Sequence, residues 1–205
     1  MDAHLKTLSA AAAAAAVAAV LTLSGCTTGS QPTHPGGSSQ ASPPLTSATA
    51  PTRSAALNCG DYIGAHPPVP GLKVVLGVVA LPTSSAGPAL QTARTADPSL
   101  PRLFAKTGLL IKAGTDFKIV VPARADDRLG IGWGSAATPG KAVVVRHCSD
   151  VGLPSRWVAY AGGYWLQHPA CVTLRVRTAT RAQSVHLGLG TPCPGQAPPP
   201  KPSAT

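Results

Sequence analysis

Two stretches near the C-terminus decide the fold class: Cys171-Val172-Thr173-Leu174-Arg175-Val176-Arg177 and Ser184-Val185-His186-Leu187-Gly188-Leu189-Gly190. In the first, Val172, Leu174 and Val176 alternate with Cys171, Thr173, Arg175 and Arg177. In the second, Val185, Leu187 and Leu189 alternate with His186, Gly188 and Gly190. A period of two puts successive side chains on opposite faces of an extended chain, so each run reads as a strand with one apolar and one outward face. Together they read as a hairpin.

The same signal repeats towards the N-terminus. Valine-rich runs at 72–81, 102–112, 115–121, 128–133, 142–147 and 157–161 are separated by clusters of Gly, Pro, Ser and Thr. Ala113-Gly114 is expected to turn a hairpin between the second and third of these. The loop 83–101 has room for one short helical turn. With the two C-terminal runs this gives about eight strands, and no window beyond the extreme N-terminus carries a helical stripe. The expected fold is all-β: a single β-sandwich domain of the immunoglobulin-like kind, with a closed β-barrel as the alternative.

The expected domain spans 57–193. Before it, 26–56 is Ser, Thr, Pro, Gly, Ala and Gln with almost no large apolar side chain. Such a stretch buries too little surface to offset its ordering entropy, so a disordered linker is expected, spanning roughly 30 Å on average. The Pro-rich segment 194–205 is expected to be a disordered tail.

Charge is unevenly supplied. The chain has seven aspartates and no glutamate, and 57–193 holds fourteen Lys and Arg against six Asp. A basic exported domain suits anionic lipid head groups, an anionic envelope polymer or an acidic envelope protein; nucleic acid is not expected as a partner. Enrichment in Ala, Gly, Pro and Arg is also what a high-GC genome produces.

Cys59, Cys148, Cys171 and Cys193 make an even count, which in an exported domain reads as two disulfides. Three connectivities are possible. Cys171 and Cys193 flank the predicted hairpin, which favours that pair and leaves Cys59 with Cys148. No Cys-x-x-Cys pair is present, and neither a metal nor a cofactor is expected.

Two features are candidates for recognition. Rows of glycine on strand faces mark places where something approaches the backbone closely. Arg175, Arg177 and His186 would share a face with Gly188 and Gly190, a candidate anion-binding patch; an aromatic ring of this chain laid over the glycines is the alternative. Five of the eight aromatics fall between Trp133 and Trp165. They fit a core, but a bend at Ala161-Gly162-Gly163 could aim Tyr164 or Trp165 outward as a ligand face.

Enzymatic motifs are not evident. There is no Gly-x-Ser-x-Gly elbow. Asp126-Asp127 is the sole adjacent carboxylate pair, and it lies between Arg124 and Arg128, where solvated ion pairing accounts for it. His66, His147, His168 and His186 show no metal-face spacing. Gly130, Gly132 and Gly134 lack the spacing and following helix of a phosphate cradle.

The N-terminus carries the most specific signal. A short start with Lys6 precedes an uncharged, alanine-rich run ending in Leu21 and Leu23, the length of a signal-peptide apolar region. It closes on Leu23-Ser24-Gly25-Cys26, which resembles the lipobox of bacterial lipoproteins: Leu, a small residue, Gly or Ala, then Cys. The resemblance covers the first 26 residues. It implies a signal peptide over 1–25 and a diacylglycerol on Cys26, usually with a third, amide-linked acyl chain such as palmitate. Two or more chains anchor stably where one is marginal. Separately, the stretch 157–193, with Gly162-Gly163-Tyr164-Trp165, Pro169-Ala170-Cys171-Val172 and Pro192-Cys193-Pro194, resembles uncharacterised exported β-rich domains of actinobacterial lipoproteins, a likeness that implies no activity.

The expected protein is therefore lipid-anchored to the cell membrane on its extracytoplasmic face, secreted across it, and presents a non-catalytic binding or interaction domain. An enzyme whose site is assembled from distant residues and a structural, wall-spacing protein are the alternatives. Cys26→Ala is predicted to move the protein from the membrane pellet to the soluble fraction on cell fractionation; a full-length mutant that stays in the pellet would contradict the anchor.

Overall fold

The computed structural model describes residues 54–123, 129–135, 137–149 and 152–201. The expected signal peptide, Cys26, nearly all of the expected linker and the Asp126-Asp127 pair lie outside the described residues.

The described chain is all-β, with one turn of 3-10 helix at Cys59–Asp61. In chain order the strands are β1 (Ser54–Ala56), β2 (Tyr62–Ala65), β3 (Lys73–Val75), β4 (Val79–Leu81), β5 (Ala93–Arg94), β6 (Leu103–Lys106), β7 (Leu109–Lys112), β8 (Phe117–Val120), β9 (Gly130–Trp133), β10 (Ala142–Val145), β11 (Trp157–Tyr160), β12 (Gly162–Leu166), β13 (Ala170–Arg177) and β14 (Ala182–Leu189). They form three sheets, ordered β1-β10-β8-β13-β14, β2-β11-β7-β4-β3 and β5-β6-β12-β9. The all-β class agrees with the alternation in the sequence; fourteen short strands in three sheets replace the expected eight or so.

The reasons for the extra strands are local. The run 72–81 is a hairpin rather than one strand: Leu76 and Gly77 both take positive φ, 52° and 75°, and the Val78 amide donates to the Val75 carbonyl at 3.1 Å. That is the turn geometry whose twist suits a tight hairpin. Ala113-Gly114 does turn the chain, with Gly114 at φ 73°, but the strands on either side belong to different sheets. Instead of closing a hairpin, the Ala113 and Gly114 amides donate to the carbonyls of Arg156 and Cys148.

One long antiparallel ladder joins two of the sheets. β6 and β7 are halves of one strand, and β11 and β12 halves of its partner. Leu109 faces Tyr160 on one side of the break and Lys106 faces Gly163 on the other, three residues further along each strand, so the register runs through without a slip. The Thr107 amide still donates to the Gly162 carbonyl at 2.9 Å within the break. Because register is kept, Leu103, Ala105, Leu109 and Ile111 share a face with Val158, Tyr160, Tyr164 and Leu166, and this face enters the core. The inner faces of β8, β10, β13 and β14 meet it through residues such as Ile119, Val143, Leu174 and Leu187.

The kink needs its glycines. A Cβ on Gly163 would overlap the Ala105 carbonyl oxygen and lie 2.9 Å from the Phe104 ring; one on Gly162 would overlap the Gly132 carbonyl and Trp133. Strands β6 and β9 therefore close on β12 from both sides.

The order of the second sheet dictates another feature. β2 and β3 are its two edges, so the segment 66–72 between them must cross one face. It covers Ala80, Leu110 and Ala159, with Leu72 packed against that small cluster. At its start the His66 amide donates to the Trp157 carbonyl at 3.1 Å.

The cysteines pair as Cys59–Cys148 and Cys171–Cys193, the favoured connectivity. Both ends of the ordered unit reach past the expected bounds. β1 pairs in parallel with β10 inside what was expected to be linker. Residues 194–201, expected to be disordered, run beside 87–91: the Ala89 amide donates to the Ala197 carbonyl at 2.9 Å, the Gln196 side chain donates to the Gly87 carbonyl at 3.0 Å, and the Gln91 side chain bonds the Pro200 carbonyl. Composition misjudged this tail because its order comes from the disulfide before it and a few polar contacts, not from apolar burial.

Gly163→Ala is predicted to cost about 2–3 kcal/mol, as overpacking against backbone does, lowering Tm by roughly 5–10 °C. Gly64→Ala, where a Cβ meets nothing within 4 Å, should stay within about 0.5 kcal/mol of wild type. Thermal denaturation of the two variants side by side checks the kink.

Candidate functional site

Residues of β13 alternate cleanly between the core and the outside. Val172, Leu174 and Val176 are buried while Arg175 and Arg177 are exposed. Across the ladder, Thr173 faces His186, Arg175 faces Ser184 and Arg177 faces Ala182. The expected face of Arg175, Arg177 and His186 is thus assembled and open to solvent. The His186 ring nitrogen Nδ1 is 3.1 Å from the Thr173 hydroxyl, which fixes the imidazole against the sheet.

The other flank of β13 adds a residue that the sequence did not single out. β8 pairs with β13 so that Lys118 stands directly opposite Arg177, and Val120 opposite Arg175. Lys118, Arg175 and Arg177 therefore form a triangle on one face. Adjacent strands are about 5 Å apart, and alternate residues on one strand about 7 Å. None of the three cations has a carboxylate partner among the described residues. Like charges directly opposite on a sheet are destabilising, so this arrangement is not explained by stability. Nothing in the sequence marks β8 as the neighbour of β13, which is why Lys118 was not legible.

The glycine end of the same strand pair is different. Gly188 is buried, and a Cβ there would overlap the Gln196 amide oxygen and lie 2.8 Å from Ala89 Cβ. Gly190 is approached by Thr92 and Pro169. The close approach that bare glycines imply is made by the C-terminal segment and residues 89–92, so the patch ends before Gly188. On β9, the Thr138 carbonyl oxygen lies 3.0 Å and the Trp165 ring 3.4 Å from where a Cβ on Gly132 would be, so backbone and an aromatic ring together cover it.

Tyr164 and Trp165 do not belong to a ligand face. Tyr164 is fully buried and stands edge-on to Trp133, with ring centroids 5.4 Å apart. Trp165 is 7% exposed and packs on Phe104 at 4.6 Å. Register is kept through Gly162-Gly163, so Tyr164 stays on the core face, while Trp165 lies on the opposite face and is covered by Phe104. The Tyr164 hydroxyl is buried without a hydrogen-bond partner, and burial pushes its pKa well above the ordinary tyrosine value. Tyr160 donates to the Cys59 carbonyl at 3.1 Å; burial first, and then the Asp61 carboxylate and Tyr62, raise its pKa as well.

The described carboxylates are otherwise engaged. Asp61 accepts from the Ser135 amide at 3.0 Å and from Asn58 at 2.9 Å; Asp116 accepts from the His147 amide at 2.7 Å. Asp97 accepts from both the amide and hydroxyl of Ser99, which hold its carboxyl below the usual range. Among the described residues no three His, Cys, Asp or Glu side chains gather closely enough to hold a metal ion.

No family model, curated protein or solved structure matches the chain.

The buried tyrosines give a pH dependence of known sign. A tyrosine whose folded pKa is raised keeps its proton in the native state after the unfolded chain begins to lose its own, near pH 10. Stability is therefore full below about pH 10 and falls as pH climbs beyond it. Urea midpoints measured from pH 8 to 12 should show that fall, and Tyr164→Phe should flatten part of it. At pH 7 the same variant is predicted to be neutral or more stable by about 1 kcal/mol, since it removes an unpaired buried hydroxyl.

Proposed function

We propose that this is a lipoprotein of the cell envelope, held by diacylglyceryl-Cys26 on the extracytoplasmic face of the cell membrane, whose β-domain binds an anionic envelope polymer without catalysing a reaction. The anchor is supported by Leu23-Ser24-Gly25-Cys26 at the end of an apolar run. An exported location also suits the two disulfides. Binding is supported above all by the triangle of half-buried Lys118 with exposed Arg175 and Arg177, which share one sheet face and have no carboxylate partner among the described residues.

The spacing favours a polymer. Three cations rooted on neighbouring positions of the sheet, with strands about 5 Å apart and alternate residues about 7 Å apart, suit a chain that repeats a negative charge, whereas a single small anion would engage one or two of them. For the architecture we favour the barrel alternative, made by the first and third sheets. Two hydrogen-bonded bridges support it: Leu90 with Leu189 at one flank and Ile131 with Gly140 at the other.

The test is co-sedimentation of the full-length chain, carrying Cys26→Ala so that no lipid anchors it, with isolated cell walls. Wild-type face residues should give binding that is released by raising salt from 0.05 to 0.5 M. Lys118→Gln/Arg175→Gln/Arg177→Gln should weaken it at least about tenfold, at roughly 0.5–1 kcal/mol per charge, with no loss of Tm. Lys73→Gln/Arg94→Gln/Arg102→Gln, an equal loss of three charges elsewhere, should bind as the parent does. Equal sedimentation of the triple variant and the parent would sink the proposal.

A further inference from the structure

A sizeable concavity lies on the outer side of β6. It has a volume of about 620 Å³ and is walled by the crossing segment 69–72, the segment 87–93, Phe104 and Lys106 of β6, and Pro200. That volume is in the range of sites that take small molecules. Its character is set by three facts. Val69, Leu72, Leu90 and Phe104 make it apolar. Lys106 is the sole charged residue of the lining, and it has no carboxylate partner among the described residues. The walls are poor in free N–H groups: Pro70, Pro82, Pro88 and Pro200 have none. The amides of Leu72, Gly87, Ala89 and Leu90 already donate to Val69, Thr83, Ala197 and Gly188.

A peptide strand added to a wall needs a row of backbone donors and acceptors, and these donors are spent. Apolar surface asks for no such partners, and a lone ammonium beside it asks for one negative charge. We propose that this groove binds an amphiphile with an apolar body and a single anionic head, the body lying between the prolines and Phe104 and the head at Lys106. The C-terminal segment is part of the site, since Pro200 supplies one wall and is positioned by Gln91, Ala89 and the Cys171–Cys193 disulfide. The inference rests on the groove alone and is independent of the polymer-binding face.

The test titrates the full-length Cys26→Ala chain, free of detergent, with 11-(dansylamino)undecanoic acid and with its methyl ester, read by dansyl fluorescence. Saturable binding of the acid is expected. Lys106→Ala should weaken the acid about fivefold, the effect of one exposed ion pair of ~1 kcal/mol, and leave the ester unchanged. Val69→Asp, at a rim residue that is 49% exposed and so tolerant of substitution, should weaken both probes. Unchanged near-ultraviolet circular dichroism and Tm identify both variants as folded. The proposal is overturned by any of three results: no saturable binding of the acid, equal loss of acid and ester in Lys106→Ala, or undiminished binding of both probes in Val69→Asp. Displacement of the probe by proline-rich peptides but not by fatty acids would likewise overturn it, in favour of a peptide site.

Discussion

The close contact of three strands at Gly162-Gly163 is the constraint on which the rest of the structure depends. β12 runs between β6 and β9 with no room for a side chain at either glycine. The ladder can therefore bend there and pass from one sheet to the next without losing register. Had the bend been made by a bulge, every inward residue beyond it would have turned outward. Tyr164 and Leu166 would have faced solvent, and the core would have lost its largest contributors on that side. Two glycines thus let one strand pair serve two sheets and keep the same face apolar along its whole length.

The margins of the domain are held by other means. The edges of small sheets are poor in apolar burial, and here covalent and polar ties supply what packing does not. Cys59–Cys148 joins the helical turn before β2 to the chain just after β10, and Cys171–Cys193 joins β13 to the C-terminal segment. Each closes a loop that, in the chain-entropy account, is worth about 3–5 kcal/mol. Beyond Cys193 the Gln196 side chain accepts from the Cys193 amide at 3.0 Å and donates to Gly87, resting on the space that Gly188 leaves open. The glycine on β14, the disulfide and the glutamine act together to lay the tail on the sheet, and that placement creates the groove beside Phe104.

Much of this was legible in the sequence where the signal is local. Alternation in 171–177 and 184–190 predicted both the strands and their inward residues, and the flanking cysteines pointed to the right pairing. What stayed hidden is non-local. The run 72–81 looks like one strand because a single Leu-Gly turn leaves no break in its apolar character. Ala113-Gly114 has the chemistry of a turn, yet only the finished packing shows that it leads between sheets. The covering of Gly188 could be expected in kind, since bare glycine invites close approach, but Gln196 as the cover lay in a segment whose composition suggested disorder. Lys118 belongs to the basic face only because β8 lies beside β13, and pairing between strands more than fifty residues apart leaves no trace in either.

The distribution of the carboxylates bears on the basic face more than the net charge does. A surplus of cations over a surface is ordinary in a chain rich in arginine, and by itself says little about binding. Here the three described carboxylates all accept from backbone amides, at Ser135, Ser99 and His147, where they fix loops. They are thereby withheld from the sheet face, although a carboxylate opposite Lys118 or Arg177 would have relieved a like-charge contact. Departures from local stability rules tend to gather at functional sites. That is the ground for the proposed reading: two cations oppose one another across a ladder while the described acids of the domain are engaged elsewhere, which leaves room for a negative charge from outside the chain.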